Sequence, residues 1–183
     1  MILLDTNILL RYACSVDPAF ATADTAITTL HARGEVLRVV PQNIYEFWAV
    51  ATRPTAANGL GLTIPECQVQ AARIKHLFPL LADLPTLFAE WESLVVAHSC
   101  SGRSSFDARL VAAMRTHGMT QILTLNGTDF TRFPGITVLD PGDVGVAMVA
   151  IVKVSVPQAE TAEAGKAPAE AAPAASTKGG AKG

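Results

Sequence analysis

The chain has 183 residues, half of them hydrophobic and 16% charged, with a formal net charge of −2 at pH 7. That length fits one domain with an appendage, and the apolar share fits a globular protein with a substantial core. The charge excludes a general polyanion binder, because residues 153–183 hold four lysines against three glutamates and leave ten basic and thirteen acidic side chains in residues 1–152.

Cys14, Cys67 and Cys100 are widely spaced and form no CxxC pair, which argues against a disulfide framework or a zinc site and fits a reducing compartment. The apolar N-terminus has no basic leader and carries Asp5, Asn7 and Arg11, so it does not read as a signal peptide. The late apolar run 145–152 is too short to span a bilayer. A soluble, cytoplasmic protein is the expectation.

In chain order, residues 1–4 read as a short buried strand and a helix begins over 8–12. The pattern predicts a second helix over 21–32, closed by Gly34. Residues 35–40, EVLRVV, are rich in β-branched side chains and stop at Pro41, so they read as strand two. Ile44, Phe47, Trp48 and Ala51 then recur at helical spacing over 43–53. After a loop with Pro54, Gly59 and Gly61, helices are predicted over 65–78 and 84–100, each with a proline near its start. A further helix over 104–118 carries Leu110, Val111 and Met114 on one face and ends at Gly118. Strands three and four fall at 121–125 and 135–141, and 144–152 reads equally as a strand or a helix. From about residue 153 the composition turns to Ala, Pro, Gly, Lys and Glu with no large aliphatic or aromatic side chain after Val156. Such a segment buries too little apolar area to offset its ordering entropy, which divides the chain into a domain over 1–152 and a disordered tail over 153–183.

Short strands alternating with helices predict an α/β fold with a mostly parallel sheet. In such sheets sites form beyond the carboxyl ends of the strands. Four acids fall there. Asp5 ends strand one, Glu46 lies in the first turn of the helix after strand two, Asp107 opens the helix over 104–118, and Asp129 follows strand three. If they converge, an oxygen-only set without His or Cys suits Mg²⁺ or Mn²⁺. Each acid taken alone also has a plainer reading. Asn43-x-x-Glu46 and Ser104-x-x-Asp107 match capping boxes, Asp5 or Asn7 fits a helix cap, and Asp129 fits a turn.

The segments LLDTNILL, YEFWAVATRP, DARLVAAM and ILTLNGTDF, in that order and at those separations, resemble the PIN-domain family, and within it the VapC-type ribonuclease toxins of bacterial toxin–antitoxin pairs. The resemblance covers about residues 1–140. It implies a PIN-like three-layer fold and a metal-dependent endoribonuclease that hydrolyses RNA with metal-activated water. It also implies a cognate antitoxin and a homodimer. Carried over by position, Asp5 is the central metal ligand, Glu46 and Asp107 are further ligands, and Asp129 completes the site. Thr6 and Asn7 match polar positions beside the first acid, and Thr124 and Asn126 those before the last. Some relatives place an acid near Asn126, which leaves open whether Asn126 or Asp129 faces the metal. Phe106 stands where many relatives carry His, so no catalytic histidine is assigned.

His31, His76, His98 and His117 read as packing or surface residues, and Trp48 and Trp91 as core. Arg11, Arg53, Arg103, Arg109 and Arg132 lie near the acidic edge in sequence and are candidates for phosphate contacts. A haloacid-dehalogenase-type phosphatase needs a second Asp where Asn7 stands. A receiver domain needs a lysine near its acids, and residues 1–152 offer only Lys75, in a helical segment. The alternative that remains is a non-catalytic PIN-fold module that binds RNA or protein. Four costly like charges kept together speak for catalysis instead.

Overall fold

The computed structural model describes residues 1–144. The tail over 153–183 and nearly all of the 144–152 segment therefore lie outside the described residues. Four parallel strands, β1 (Ile2–Leu4), β2 (Leu37–Arg38), β3 (Gln121–Leu123) and β4 (Thr137–Leu139), form one sheet in the order β2-β1-β3-β4. Among the described residues the helices packed around it are α1 (Thr6–Tyr12), α2 (Phe20–Ala32), α3 (Pro41–Ala51), α4 (Ile64–Leu77), α5 (Leu87–Ala97) and α6 (Ser104–Thr116). No helix among the described residues is long and apolar enough to cross a membrane.

The alternation of side chains along a strand produces the three layers. Ile2 and Leu4 belong to one core with residues of α1, α2, α3 and α4, whereas Leu3 between them belongs to a second core with α5 and α6. All three are essentially inaccessible to water. A sheet buried on both faces needs continuous apolar strands, which is why β1 has no polar residue before Asp5. Truncating Leu3 to Ala would remove its contacts to α6 and cost about 2–5 kcal/mol.

The strands are shorter than the sequence suggests. Of 35–40, only Leu37 and Arg38 pair with β1 as a strand. Val39 pairs instead with Leu80, which comes from the segment after α4. The helix expected over 84–100 starts at Leu87, since Leu84–Pro85–Thr86 form a turn closed by Leu87 N–H on the Leu84 carbonyl. The helix expected over 65–78 starts one residue earlier, at Ile64, with Pro65 in its first turn, and a reciprocal capping box of Thr63 and Glu66, which the sequence reading did not single out, sets that start.

The chain leaves β1 for β2 on one side and later returns to β3 on the other. Strand order therefore reverses between β1 and β3. In open parallel sheets the crevice beyond the carboxyl ends at such a reversal is where ligands bind.

Candidate active site

Asp5 directly follows β1, and its N–H donates to the Leu123 carbonyl at 3.0 Å. That register sets Thr124, the residue after β3, beside it. Thr124 Oγ1 donates to Asp5 Oδ2 at 2.6 Å, and Asn7 Nδ2 donates to the same oxygen at 2.8 Å. Asn7 also donates to Thr124 Oγ1 and accepts the Leu125 N–H, so it ties α1 to the end of β3. The hydroxyl of Thr124 is fully used, because it accepts the Asn126 N–H as well.

Glu46 lies in the second turn of α3, not the first, since the helix begins at Pro41, whose fixed φ suits a first helical position. Both its oxygens are held: Thr6 Oγ1 donates to Oε2 at 2.7 Å and Gln42 Nε2 to Oε1 at 2.7 Å. Gln42 is buried, and its amide also donates to the Phe106 carbonyl at 2.9 Å. Its oxygen accepts from Arg109 Nη1 at 3.1 Å, and Arg109 Nη2 in turn pairs with Asp83 at 2.6 Å. A continuous chain Asp83–Arg109–Gln42–Glu46–Thr6 thus links α6, α3 and α1. Gln42 and this role of Arg109 escaped the sequence analysis. The i, i+4 spacing of Gln42 and Glu46 was the only local signal.

Capping does not explain the acids. The Val40 N–H is accepted by Asn43 Oδ1 at 2.9 Å, and Glu46 takes no part. Ser104 Oγ bonds Ser101 rather than forming a box with Asp107. Asp5 does occupy the N-cap position of α1, but no side-chain capping bond closes there. Asp129 sits in a short 3-10 turn, Gly127–Phe130, and is exposed.

All four acids line one cleft of about 570 Å³, together with Thr6, Asn7, Asn126, Arg53, Arg103 and Phe106. A smaller adjoining cleft of about 300 Å³ shares Arg103, Asp107, Asn126 and Asp129, and adds Ser104 and Arg132. Asn126 and Asp129 both face these spaces. Thr124 lies beneath the floor, fully buried.

The electrostatics show mutual repulsion among the acids. The half-buried Asp107 is pushed up to about 6, first by burial and then by the charges of Asp129, Asp5 and Glu46, with Arg103 pulling it back. Asp5 is also raised, chiefly by burial, against the Thr124 hydroxyl and the Thr6 backbone; the Glu46 charge raises it further. Such a cluster fits a divalent cation by its chemistry: hard oxygen donors only, and like charges that a cation relieves. Among the described residues no three His, Cys, Asp or Glu side chains already stand as a ligand group, so the fit rests on donor type and charge rather than on preset coordination.

Of the five arginines near the edge in sequence, Arg53, Arg103 and Arg132 line the clefts. Arg11 is engaged by Asp17 at 2.6 Å and Arg109 by the Asp83–Gln42 chain. No histidine lines either cleft. Trp48 and Trp91 pack on the two cores, as expected.

Residues 2–136 match the family model of the PIN domain. Ribonuclease VapC24 of Mycobacterium tuberculosis (strain CDC 1551 / Oshkosh) is 32% identical over 149 residues, covering 77% of this chain and 97% of that protein. Among solved structures, VapBC2 from Rickettsia felis, bound to a DNA fragment from its promoter, matches with a TM-score of 0.57 at 12% identity, over 76% of this chain and 98% of the other. VapC20 of Mycobacterium tuberculosis, a sarcin-ricin loop cleaving toxin, matches with a TM-score of 0.52 at 19% identity, over 80% and 95%. At these identities the two structures speak for the fold.

Proposed function

The chain belongs to the PIN-domain family, and from that premise we propose that it is a metal-dependent endoribonuclease, the toxin of a toxin–antitoxin pair. One observation carries the reading: Asp5, Glu46, Asp107 and Asp129, from four separate segments, line a single cleft at the strand-order reversal. Nothing in packing requires four acids there, and the Asp107 carboxyl is raised first by its own burial and then by the charges of the other three.

Asp5, Glu46 and Asp107 would hold Mg²⁺ or Mn²⁺, with Asp129 completing the set. When bound, such an ion supplies Lewis acidity to the phosphodiester and acidifies water. Thr124 and Asn7 fix the Asp5 carboxylate, and Thr6 and Gln42 fix Glu46, so that neither swings away from the cleft. Asn126 stands at the opening beside Asp129. Arg53, Arg103 and Arg132 offer cationic contacts to backbone phosphates in clefts whose other charged groups are all acids. The partners are RNA, a cognate antitoxin protein and a second copy in a homodimer, and the place of action is the cytoplasm.

The test is cleavage of a randomised single-stranded and hairpin RNA library by the purified protein. Cutting with Mg²⁺ or Mn²⁺ that EDTA abolishes is the expected result. Cutting that survives exhaustive chelation would overturn the metal mechanism, and no cutting in either ion would overturn the ribonuclease reading.

A further inference from the structure

Phe106 is 57% exposed, yet it lines the cleft one residue before Asp107. An exposed phenylalanine by itself is unremarkable in a protein surface. This one differs in three respects. Its backbone is fixed, because its carbonyl accepts from the buried Gln42 that also holds Glu46. Its ring takes part in none of the aromatic pairs of the described residues, and unlike Phe47 and Phe130, which also lack such a pair, it is not buried in a core. And one helical turn earlier stands Arg103, which faces both clefts.

Arg103 and the other cleft arginines share a second property. Arg11, Arg109 and Arg115 are each held by an acid. The guanidinium groups of Arg53, Arg103 and Arg132 make no ion pair or hydrogen bond among the described residues, and Arg103 acts on Asp107 only through its charge. An exposed ring on a held backbone, beside guanidinium groups without an ion-pair partner, is a combination that binds single-stranded nucleic acid: bases stack on aromatics and phosphates pair with cations.

We propose that Phe106 is a base-stacking, specificity-determining residue: its ring receives the unpaired base next to the scissile phosphate, while Arg103 and Arg132 hold the adjacent phosphate in the smaller cleft. This rests on the ribonuclease reading above and adds to it the residue that reads the base beside the cut. Paired RNA keeps its bases stacked inside the helix and cannot present one to the ring. Stacking is stronger for the larger purine faces, so the site favours a purine at that position.

The experiment compares the full chain with Phe106→Leu and Phe106→Trp on a randomised single-stranded RNA library with Mn²⁺, sequencing the cut ends. Leu keeps an apolar side chain without a ring, and an exposed position leaves the melting temperature unchanged. Phe106→Leu should lower kcat/KM by roughly 5- to 150-fold, the range that loss of one base–aromatic stack gives, and should flatten the purine preference beside the cut. Phe106→Trp should retain both rate and preference. A merely structural role would lower the rate without changing which base flanks the cut, and that outcome overturns the proposal. So does an unaltered Phe106→Leu profile, or one in which only association with an antitoxin weakens. If the parent cuts no RNA, the ribonuclease reading fails separately. Stacking is then read from the fluorescence of a 12-mer RNA containing 2-aminopurine, with Ca²⁺ present to offset the acids. Quenching by the parent that Phe106→Leu loses upholds the ring's role, and equal quenching, or none, ends it.

Discussion

Thr124 Oγ1 meets Asp5 Oδ2 at 2.6 Å across the seam between β1 and β3, joining side chains 119 positions apart in the chain. Both groups are buried, and burial alone would drive the Asp5 carboxyl toward its neutral form. The Thr124 hydroxyl is the largest of the effects that oppose this. Two adjacent parallel strands thus supply the acid and the hydroxyl that holds its carboxyl lower than burial alone would.

Thr124→Val therefore tests the pair with little change of shape. Losing a hydrogen bond to a charged group should cost about 1.5–3 kcal/mol near neutral pH. It should also raise the Asp5 carboxyl further above its usual range. The deficit should shrink as pH falls and Asp5 takes up its proton, because the neutral acid needs the hydroxyl less. Urea melts at pH 7.5 and pH 4.5 measure both values, and an equal deficit at the two would mean that Asp5 is not the partner that matters.

Gln42→Met keeps the volume and removes the amide that steers Glu46, the Phe106 carbonyl and Arg109. A loss of about 1–3 kcal/mol is expected from the buried groups left unpaired. Stability alone does not separate packing from positioning. The separating readout is the Mn²⁺ concentration needed for half-maximal RNA cleavage, which should rise if Gln42 holds Glu46 for the ion. An unchanged metal requirement would reduce Gln42 to packing.

The acids were legible in the sequence because each follows or opens an element whose identity is local: apolar residues 1–4 before Asp5, and Leu110, Val111 and Met114 spaced after Asp107. Their confluence was not local; it depends on the parallel β1–β3 register, which resemblance supplied and composition did not. Gln42 was passed over, and Arg109 was taken as a candidate for phosphate contacts, for the same reason: nothing local in the sequence shows that α3 and α6 bring the two to 3.1 Å. Arg11 was similarly misjudged, because the turn after α1 brings Asp17 back to it. The placement of Glu46 slipped by a turn since Pro41 starts α3, where the sequence pattern had suggested an end to the strand only.

Metal should be visible without any RNA. An ion that binds only the folded state stabilises it by mass action, about 2.7 kcal/mol at a hundred times its Kd. Mn²⁺ should raise the Tm in a saturable way, and EDTA should reverse it. NaCl at matched ionic strength only screens exposed charge and should give a smaller, unsaturable shift. Identical curves for the two salts would leave no specific cation site.

Asp107→Asn sets the acidic cluster against an ordinary helix-start acid. The folded-state carboxyl of Asp107 titrates at about 6, above its ordinary 3.8. Folded protein therefore binds this proton more tightly than unfolded chain does, and the stability contributed by Asp107 is full below pH 4 and lost as pH rises through 6. In EDTA the parent should lose stability over that window, while the Asn variant, which has no proton to release, should lose less. Above pH 6 the variant should equal or exceed the parent, since one of four repelling charges is gone. With excess Mn²⁺ the order should reverse: the parent gains, the variant gains little, and RNA cleavage by the variant falls sharply. A helix-start acid predicts the opposite in EDTA, a loss of about 0.3–1 kcal/mol on removing a charge that favours the helix N-terminus. Melts of both proteins at pH 4 and pH 7, with EDTA and with Mn²⁺, decide between the two. A variant destabilised at pH 7 in EDTA, yet stabilised by Mn²⁺ as strongly as the parent, would remove Asp107 from the metal site.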